Sequence, residues 1–240
     1  MSQEPLGTLY GIGIGPGDPE LITLKGLRVL QRVRTVFVPI AREGAKSFAA
    51  ATIRPHLDLE RQRVVELLFA MRGERPAQVQ RWRENARLIA RELLVGRDAA
   101  FVTEGDPTLY STFMHVSSAL AAELPGAPIR VVPGVSSVNA AAAAAGVPLA
   151  DGEERIAILP ALYDDGALQD TLRQFDTVVL LKVAGRFDRV LDALAALGDS
   201  HAAVLVSRCG CADERVVRDV EQLRGQRLDY FSTLVVRRVR

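Results

Sequence analysis

Short apolar runs alternate with helical patterns along the first half of the chain, and this alternation constrains the fold more than any other feature. The run Leu9–Ile14 leads into a segment whose leucines recur at helical spacing, and similar pairs follow. The predicted strands are 9–14, 35–38, 64–69, 99–103 and 129–132, and the predicted helices are 19–30, 48–57, 78–94 and 110–123. Strands and helices that alternate in this way predict an α/β fold with a parallel, doubly wound sheet.

The pattern changes after Pro133-Gly134, where we place a domain boundary. We expect a mainly parallel N-terminal α/β domain over 1–134 and a C-terminal domain over 135–240. A helix of small residues, 136–145, opens this second half; the predicted strands are 156–159, 178–181, 203–206, 216–220 and 230–236, with a helix over 187–197. Because no helix is evident between the last two strands, this domain is predicted to be mixed α+β.

Composition and spacing exclude several classes of protein. The 30 basic residues are balanced by 29 acidic ones, which argues against a strongly basic nucleic-acid-binding protein. No run approaches the ~18 apolar residues of a membrane span, and the start of the chain lacks the apolar core of a secretory signal. One residue separates Cys209 from Cys211, a spacing that suits neither a disulfide nor a zinc site. We expect a cytoplasmic protein with no protein-bound metal and no nucleic-acid or membrane partner.

The basic residues are biased strongly towards arginine. Lysine occurs only at Lys25, Lys46 and Lys182. Genomic base composition is the simpler explanation of this bias; a need for guanidinium groups that bind carboxylates or phosphates is the alternative.

Three turns rich in Gly, Pro, Asp and Ser follow predicted strands. They are Gly15–Pro19, Thr103–Pro107 and Val132–Ser137, and none fits the dinucleotide fingerprint or the P-loop. Each turn alone is explained by tight chain reversal. Together they indicate a small-molecule site, because open parallel sheets bind ligands at the carboxyl ends of their strands. Glycine there allows close backbone approach, and Asp or Ser side chains can bond a ligand.

These turns resemble the three motifs of the tetrapyrrole methylases. The first is Gly13-x-Gly15-Pro16-Gly17-Asp18 followed by Leu21, Thr23 and Gly26; the others are Gly105-Asp106-Pro107 and Pro133–Ser137. Their order and spacing fit the family from about Gly7 to Val236. Within the family, the segments 104–115, 133–149, 154–161 and 181–183 are similar to the branch that methylates precorrin-2 at C20.

The resemblance implies a two-domain tetrapyrrole-methylase fold, a homodimer, and S-adenosyl-L-methionine (SAM) bound in a cleft between the domains. It implies a SAM-dependent C-methyltransferase that converts precorrin-2 to precorrin-3A in cobalamin biosynthesis. The implied SAM contacts are Pro16, Gly105, Asp106, Pro107, Leu109, Ser136, Ser137, Leu181, Lys182, Ala203 and Ser232. A flat tetrapyrrole with carboxylate arms would need apolar walls and Arg or backbone N–H groups at the rim.

Two residues are candidates for proton transfer during methylation. Tyr110 opens the helix predicted after the second turn, and His115 follows Ser111 by one helical turn. Packing between helices explains His115 equally well, and Asp18 is predicted to cap a helix rather than to act as an acid or base.

Three alternatives to this function stay open. In the first, the substrate is the same ring loaded with cobalt; in the second, methylation occurs at another ring position. A carrier or sensor that binds tetrapyrrole or SAM without turning it over is the alternative outside enzymes.

Overall fold

The computed structural model describes residues 5–69, 75–160 and 165–239. Residues 1–4, 70–74, 161–164 and 240 lie outside this description. They include the start of the chain, where the sequence lacks a secretory signal core, and the last residue of the 154–161 motif. The chain divides into two compact units, 1–136 and 137–240, and each contains its own five-stranded sheet.

The first unit is built on a parallel sheet in the order β3-β2-β4-β1-β5, with every pair parallel. This confirms the predicted fold class. Its strands are β1 (Leu9–Gly13), β2 (Thr35–Ile40), β3 (Arg63–Leu68), β4 (Ala99–Thr103) and β5 (Ile129–Val132). Its helices are α1 (Leu24–Arg32), α2 (Phe48–Ile53), α3 (Arg75–Leu94) and α4 (Phe113–Glu123).

Helices cover both faces of this sheet, as a doubly wound fold requires. On one face, Leu30 of α1 and Ile53 of α2 share a buried core with Ile12 of β1. On the other, Ile89 of α3 and Phe113 of α4 belong to a separate buried core. With both faces covered, the strands of the sheet centre are mainly apolar, and every residue of β4 is buried.

The second unit contains a mixed sheet in the order β6-β7-β10-β8-β9, which confirms the predicted change of character. Only β6 and β7 are parallel; the other pairs are antiparallel. The strands are β6 (Ile156–Pro160), β7 (Thr177–Leu181), β8 (His201–Ser207), β9 (Arg215–Val217) and β10 (Ser232–Arg238), and the helices are α5 (Ser137–Ala145), α6 (Asp165–Gln174) and α7 (Phe187–Ala195).

Two predicted boundaries are wrong for identifiable reasons. The second strand is predicted to end at Val38, before Pro39, but β2 continues to Ile40. The ladder between β2 and β4 ends at Phe37, so Pro39 lies beyond it and its missing N–H costs that ladder nothing. The helix predicted after β1 is divided: Asp18 caps a short 3-10 turn, and Thr23 then caps α1 by accepting a hydrogen bond from the Gly26 N–H.

Gly11 of β1 lies so close to the Phe113 ring that a larger residue would clash with it. A Cβ added at Gly11 would lie 2.2–2.5 Å from ring carbons of Phe113, which is fully buried. We expect Gly11→Ala to lower the free energy of unfolding by about 1–3 kcal/mol, as overpacked cores do. Chemical denaturation measures this. Gly185→Ala is the matched control, because an added Cβ there has no atom within 4 Å. Equal stability of the two variants would contradict the packing argument.

Candidate functional site

The turns after β1, β4 and β5 meet at the carboxyl edge of the parallel sheet. β1 lies between β4 and β5, so its turn contacts both of the others. The Ile14 N–H donates to the Thr103 carbonyl at 3.1 Å, and the Gly105 N–H donates to the Gly15 carbonyl at 2.8 Å. The three motifs that the sequence pointed to therefore form one continuous surface of backbone.

Glycine is required here because the turns touch at the backbone. A Cβ on Gly13 would lie 2.5 Å from the Gly105 carbonyl oxygen and 2.6 Å from the Gly134 nitrogen. A Cβ on Gly134 would lie 2.3 Å from the same carbonyl oxygen. Both contacts are closer than real Cβ atoms tolerate, so these two glycines allow the turns to approach one another. From the sequence, these glycines were expected to allow close approach of a ligand rather than of other backbone.

Asp106 joins the second turn to the third. Its Oδ1 accepts hydrogen bonds from the Thr108 N–H at 2.8 Å and from the Thr108 hydroxyl at 2.6 Å. Its Oδ2 accepts from the Gly134 N–H at 3.0 Å. Burial raises the pKa of Asp106, but the bonds from Thr108 and Gly134 outweigh it and hold the pKa below its ordinary value. The carboxylate is therefore ionised at neutral pH and bonded on both oxygens.

Apolar side chains line the same turns. Pro16 and Pro107 are buried, and Leu109 is half-buried with its N–H donating to the Asp106 carbonyl at 3.3 Å. Gly105 is also buried and has a φ of 69°, a conformation that glycine adopts without strain. Five implied SAM contacts, at Pro16, 105–107 and Leu109, thus belong to one packed cluster.

Tyr110 lies in the turn before α4 and not at the opening of the helix, as the sequence predicted. The helix begins three residues later, at Phe113, because the Ser111 hydroxyl accepts from the Phe113 N–H at 3.1 Å. Ser111 also bonds the Thr103 hydroxyl at 2.9 Å, which ties this turn to the end of β4. Tyr110 has a φ of 49° and is 49% exposed. A left-handed backbone at a tyrosine is uncommon and is a feature of functional turns.

His115 lies on the surface of the helices α3 and α4. Its ring stacks on Trp82 of α3, with 4.1 Å between ring centroids and 5° between the planes. The structure therefore gives His115 an exposed position and a packing partner on the neighbouring helix.

The second unit places most of its implied contacts at one end of its sheet. Leu181 ends β7 and pairs with Thr233, the neighbour of Ser232 at the start of β10. Ser232 pairs with Ser207 at the end of β8, and their hydroxyls are 3.0 Å apart. Ala203 lies elsewhere: it pairs with Val236 and packs against the hydrophobic core.

Two charged residues at this end have left-handed backbones. Lys182 follows β7 with a φ of 58°, and its ammonium lies 5.5 Å from the centroid of the Tyr230 ring. Arg208 follows β8 with a φ of 51° and pairs with Asp213 at 2.6 Å. Sequence reasoning missed Arg208 and Tyr230, since no local pattern marks a left-handed arginine or a cation–π partner.

Ser136 and Ser137 lie where the two units join in sequence. Ser136 is the last residue of the first unit, and Ser137 begins α5 in the second. Both are half-buried.

The cysteines and carboxylates that the structure describes give no sign of a metal centre. Within residues 5–69, 75–160 and 165–239, no three His, Cys, Asp or Glu side chains are grouped so that they could hold a metal ion. Burial, with a contribution from Glu214, raises the pKa of the Cys209 thiol to about 12. Both thiols are free.

The family model of the tetrapyrrole (corrin/porphyrin) methylases matches residues 8–223. This chain belongs to that family. A probable cobalt-precorrin-2 C(20)-methyltransferase of Methanocaldococcus jannaschii is 34% identical over 232 residues, covering 96% of each chain. A precorrin-2 C(20)-methyltransferase of a Sinorhizobium species is 28% identical over 242 residues, covering 98% of this chain and 97% of that relative.

A solved structure of this methylase family shares the fold. The X-ray structure of a cobalt precorrin-4 methyltransferase of cobalamin biosynthesis matches with a TM-score of 0.76 at 25% identity, covering 95% of this chain and 94% of that one. Together with the family match, this confirms the resemblance inferred from the three motifs. In the described part of this methylase, no helix is both long and apolar enough to cross a membrane.

The bonds of Asp106 predict a pH-dependent contribution to the stability of this methylase. A carboxylate whose folded pKa is depressed stabilises the fold above its unfolded pKa, ~3.9, and that contribution is lost as the pH falls through the folded pKa. We expect Asp106→Asn to lower the free energy of unfolding at pH 7 by about 1–2 kcal/mol, because an amide cannot accept on both sides. The difference from wild type should shrink below about pH 4.

Urea unfolding at pH 7 and at pH 3–4 measures this difference. Asp219→Asn is the control, since Asp219 is exposed and its side chain makes no capping hydrogen bond. A pH-independent difference for Asp106→Asn would show that the ionised carboxylate is not what holds the turns.

Proposed function

We propose that this protein is a SAM-dependent methyltransferase that methylates precorrin-2 at C20 to give precorrin-3A in cobalamin biosynthesis. Two relatives named for C20 methylation, of precorrin-2 or its cobalt form, align over nearly their whole length. The observation on this chain that carries the proposal is the joined set of turns at 13–17, 105–109 and 133–134. These are the family's motifs, and they form one surface at the edge where parallel sheets bind ligands.

The residues of these turns fit SAM. Leu109 is half-buried and offers apolar surface to a nucleoside, while the buried Pro16 and Pro107 support the turns beneath it. The ionised carboxylate of Asp106 is bonded to the protein, so we assign it the role of holding the turns. Its negative charge also favours the cationic sulfonium of SAM over the neutral thioether of S-adenosylhomocysteine. We propose contacts from Ser136, Ser137, Leu181, Lys182 and Ser232 as well; Ala203 has the weakest support of the set.

The chemistry needs little more than correct placement. SAM supplies an already activated methyl group, and C20 of the tetrapyrrole is an electron-rich, enamine-like carbon. Holding the two in line converts a bimolecular encounter into a unimolecular step, which is where most of the rate enhancement would arise. A proton must then leave the methylated carbon. We favour Tyr110 for this step, because it directly follows the turn at 105–109, whereas His115 is stacked on Trp82.

A second candidate function is the same C20 methylation acting on cobalt-precorrin-2, and the name of one relative supports it. The Methanocaldococcus relative is named for cobalt-precorrin-2, and the Sinorhizobium relative for precorrin-2. Cobalt would arrive inside the ring, so the side chains of this protein need not bind it. Comparing turnover of metal-free and cobalt-containing precorrin-2 distinguishes the two substrates.

Homodimer formation and a cytoplasmic location belong to the same proposal and rest on the family resemblance. Analytical ultracentrifugation of the purified protein tests the first, and fractionation of the source cells tests the second. The expected results are a dimer mass and recovery in the cytoplasmic fraction.

The decisive experiment is turnover by purified protein. We expect stoichiometric release of S-adenosylhomocysteine from SAM and precorrin-2, and ¹³C-labelled methyl from SAM should appear at C20 in the NMR spectrum of the product. Label at another carbon would reassign the ring position. Tight binding of SAM and tetrapyrrole without S-adenosylhomocysteine release would favour a carrier or sensor.

We expect substitutions of Tyr110 and of His115 to have different effects on the methylation rate. Tyr110→Phe keeps the ring and removes the hydroxyl, and we expect the single-turnover rate to fall roughly 10²-fold while SAM affinity is unchanged, as for lost acid–base groups. His115→Ala should leave the rate near wild type, since the ring packs on Trp82. Undiminished methylation by Tyr110→Phe would remove Tyr110 from the mechanism.

A further inference from the structure

The three lysines of this arginine-rich chain share one structural position. Each follows the carboxyl end of a strand: Lys25 lies in the first turn of α1 after β1, Lys46 lies between β2 and α2, and Lys182 follows β7. Carboxyl ends of strands are where the family turns of the first unit also lie. The three lysines therefore lie at the sheet edges that carry the proposed SAM contacts.

Local stability does not account for Lys25 or Lys46. Lys25 is exposed at the amino end of α1, where the helix dipole disfavours a cation. Lys46 is exposed beside a turn that the Ala45 N–H closes onto the Arg42 carbonyl at 3.1 Å, and Arg42 is exposed too. Among the residues that the structure describes, none forms an ion pair with Lys25, Arg42 or Lys46.

These three cations lie at one edge and on one face of the parallel sheet. α1 and α2 pack on the same face, and each begins at the carboxyl edge. Only β4 lies between β1 and β2, so the ends of these strands are about 10 Å apart at the usual strand spacing. A tetrapyrrole that presents its meso carbon to the turn after β1 would extend its carboxylate arms across this distance.

We propose that Lys25, Arg42 and Lys46 bind the peripheral carboxylates of the tetrapyrrole, an inference that rests on the proposed function. Charge-assisted hydrogen bonds to carboxylates suit all three. Lysine supplies a compact charge on a flexible stem, and this suits carboxylates that are carried on flexible acetate and propionate arms. Glu43, exposed on the same turn, opposes the binding and limits its strength.

A matched pair of double variants tests this assignment. Lys25→Ala/Lys46→Ala removes two positive charges from the carboxyl edge. Arg34→Ala/Arg61→Ala removes two from the amino edge of the same sheet, where both arginines are exposed and precede β2 and β3. Uroporphyrin III, a stable octacarboxylate tetrapyrrole, serves as the probe in fluorescence titrations at low ionic strength, and thermal unfolding checks that both variants fold.

We expect each lysine to contribute roughly two- to fivefold to affinity, as exposed ion pairs do. The lysine double variant should therefore bind the probe about 4–25-fold more weakly, with the KM for the tetrapyrrole raised and SAM affinity unchanged. The arginine double variant should stay within about twofold of wild type. High salt should reduce the difference, and Glu43→Gln should tighten binding.

The outcomes separate this inference from the proposed function. If wild type binds uroporphyrin III in a lysine-dependent way but does not methylate precorrin-2, the proposed function fails and the carboxylate site stands. If wild type methylates precorrin-2 and the lysine variant keeps the wild-type KM, the carboxylate site is overturned. Equal losses of probe affinity in both double variants, or weakened SAM binding in the lysine variant, would also overturn it.

Discussion

Direct contact between backbone segments at one edge of the parallel sheet determines most of what this methylase can do. Gly13, Gly105 and Gly134 meet where no side chain fits, and Asp106 binds the second turn to the third. Loops are usually more mobile than the strands and helices that they connect. Here three of them are joined by hydrogen bonds, so the surface that they form is set by the β4-β1-β5 strand order, and a ligand meets it already assembled.

The sequence predicts the fold well because apolar runs and helical spacing report directly on burial. The parallel first sheet, the mixed second sheet and the exact limits of β4 and β5 all follow from that pattern. Helix α6 was not predicted, since only Leu168 and Leu172 mark its buried face among polar neighbours. The end of β2 was placed too early, at Val38, because the effect of Pro39 depends on which neighbouring strand needs its N–H.

The sequence was enough to locate the candidate site, but not to show which contacts hold its turns together. Motif spacing identified the turns, but not that Gly13 and Gly134 face other backbone, nor that both oxygens of Asp106 are already bonded. The left-handed backbones of Tyr110, Lys182 and Arg208 have no sequence signature, since glycine, and less often Asn or Asp, is the residue that indicates this conformation. Ion pairs and exposed cations likewise become informative only when the strand order shows which residues share an edge.

The strand order of the first unit also governs when this methylase is able to fold during synthesis. β1 occupies an inner position, yet both of its neighbours, β4 and β5, are translated about 90 and 120 residues after it. At ~5–20 residues per second the ribosome needs several seconds to supply them. Over that interval the apolar first strand has no partner in its own sheet, so the sheet closes only after most of the first unit has been translated.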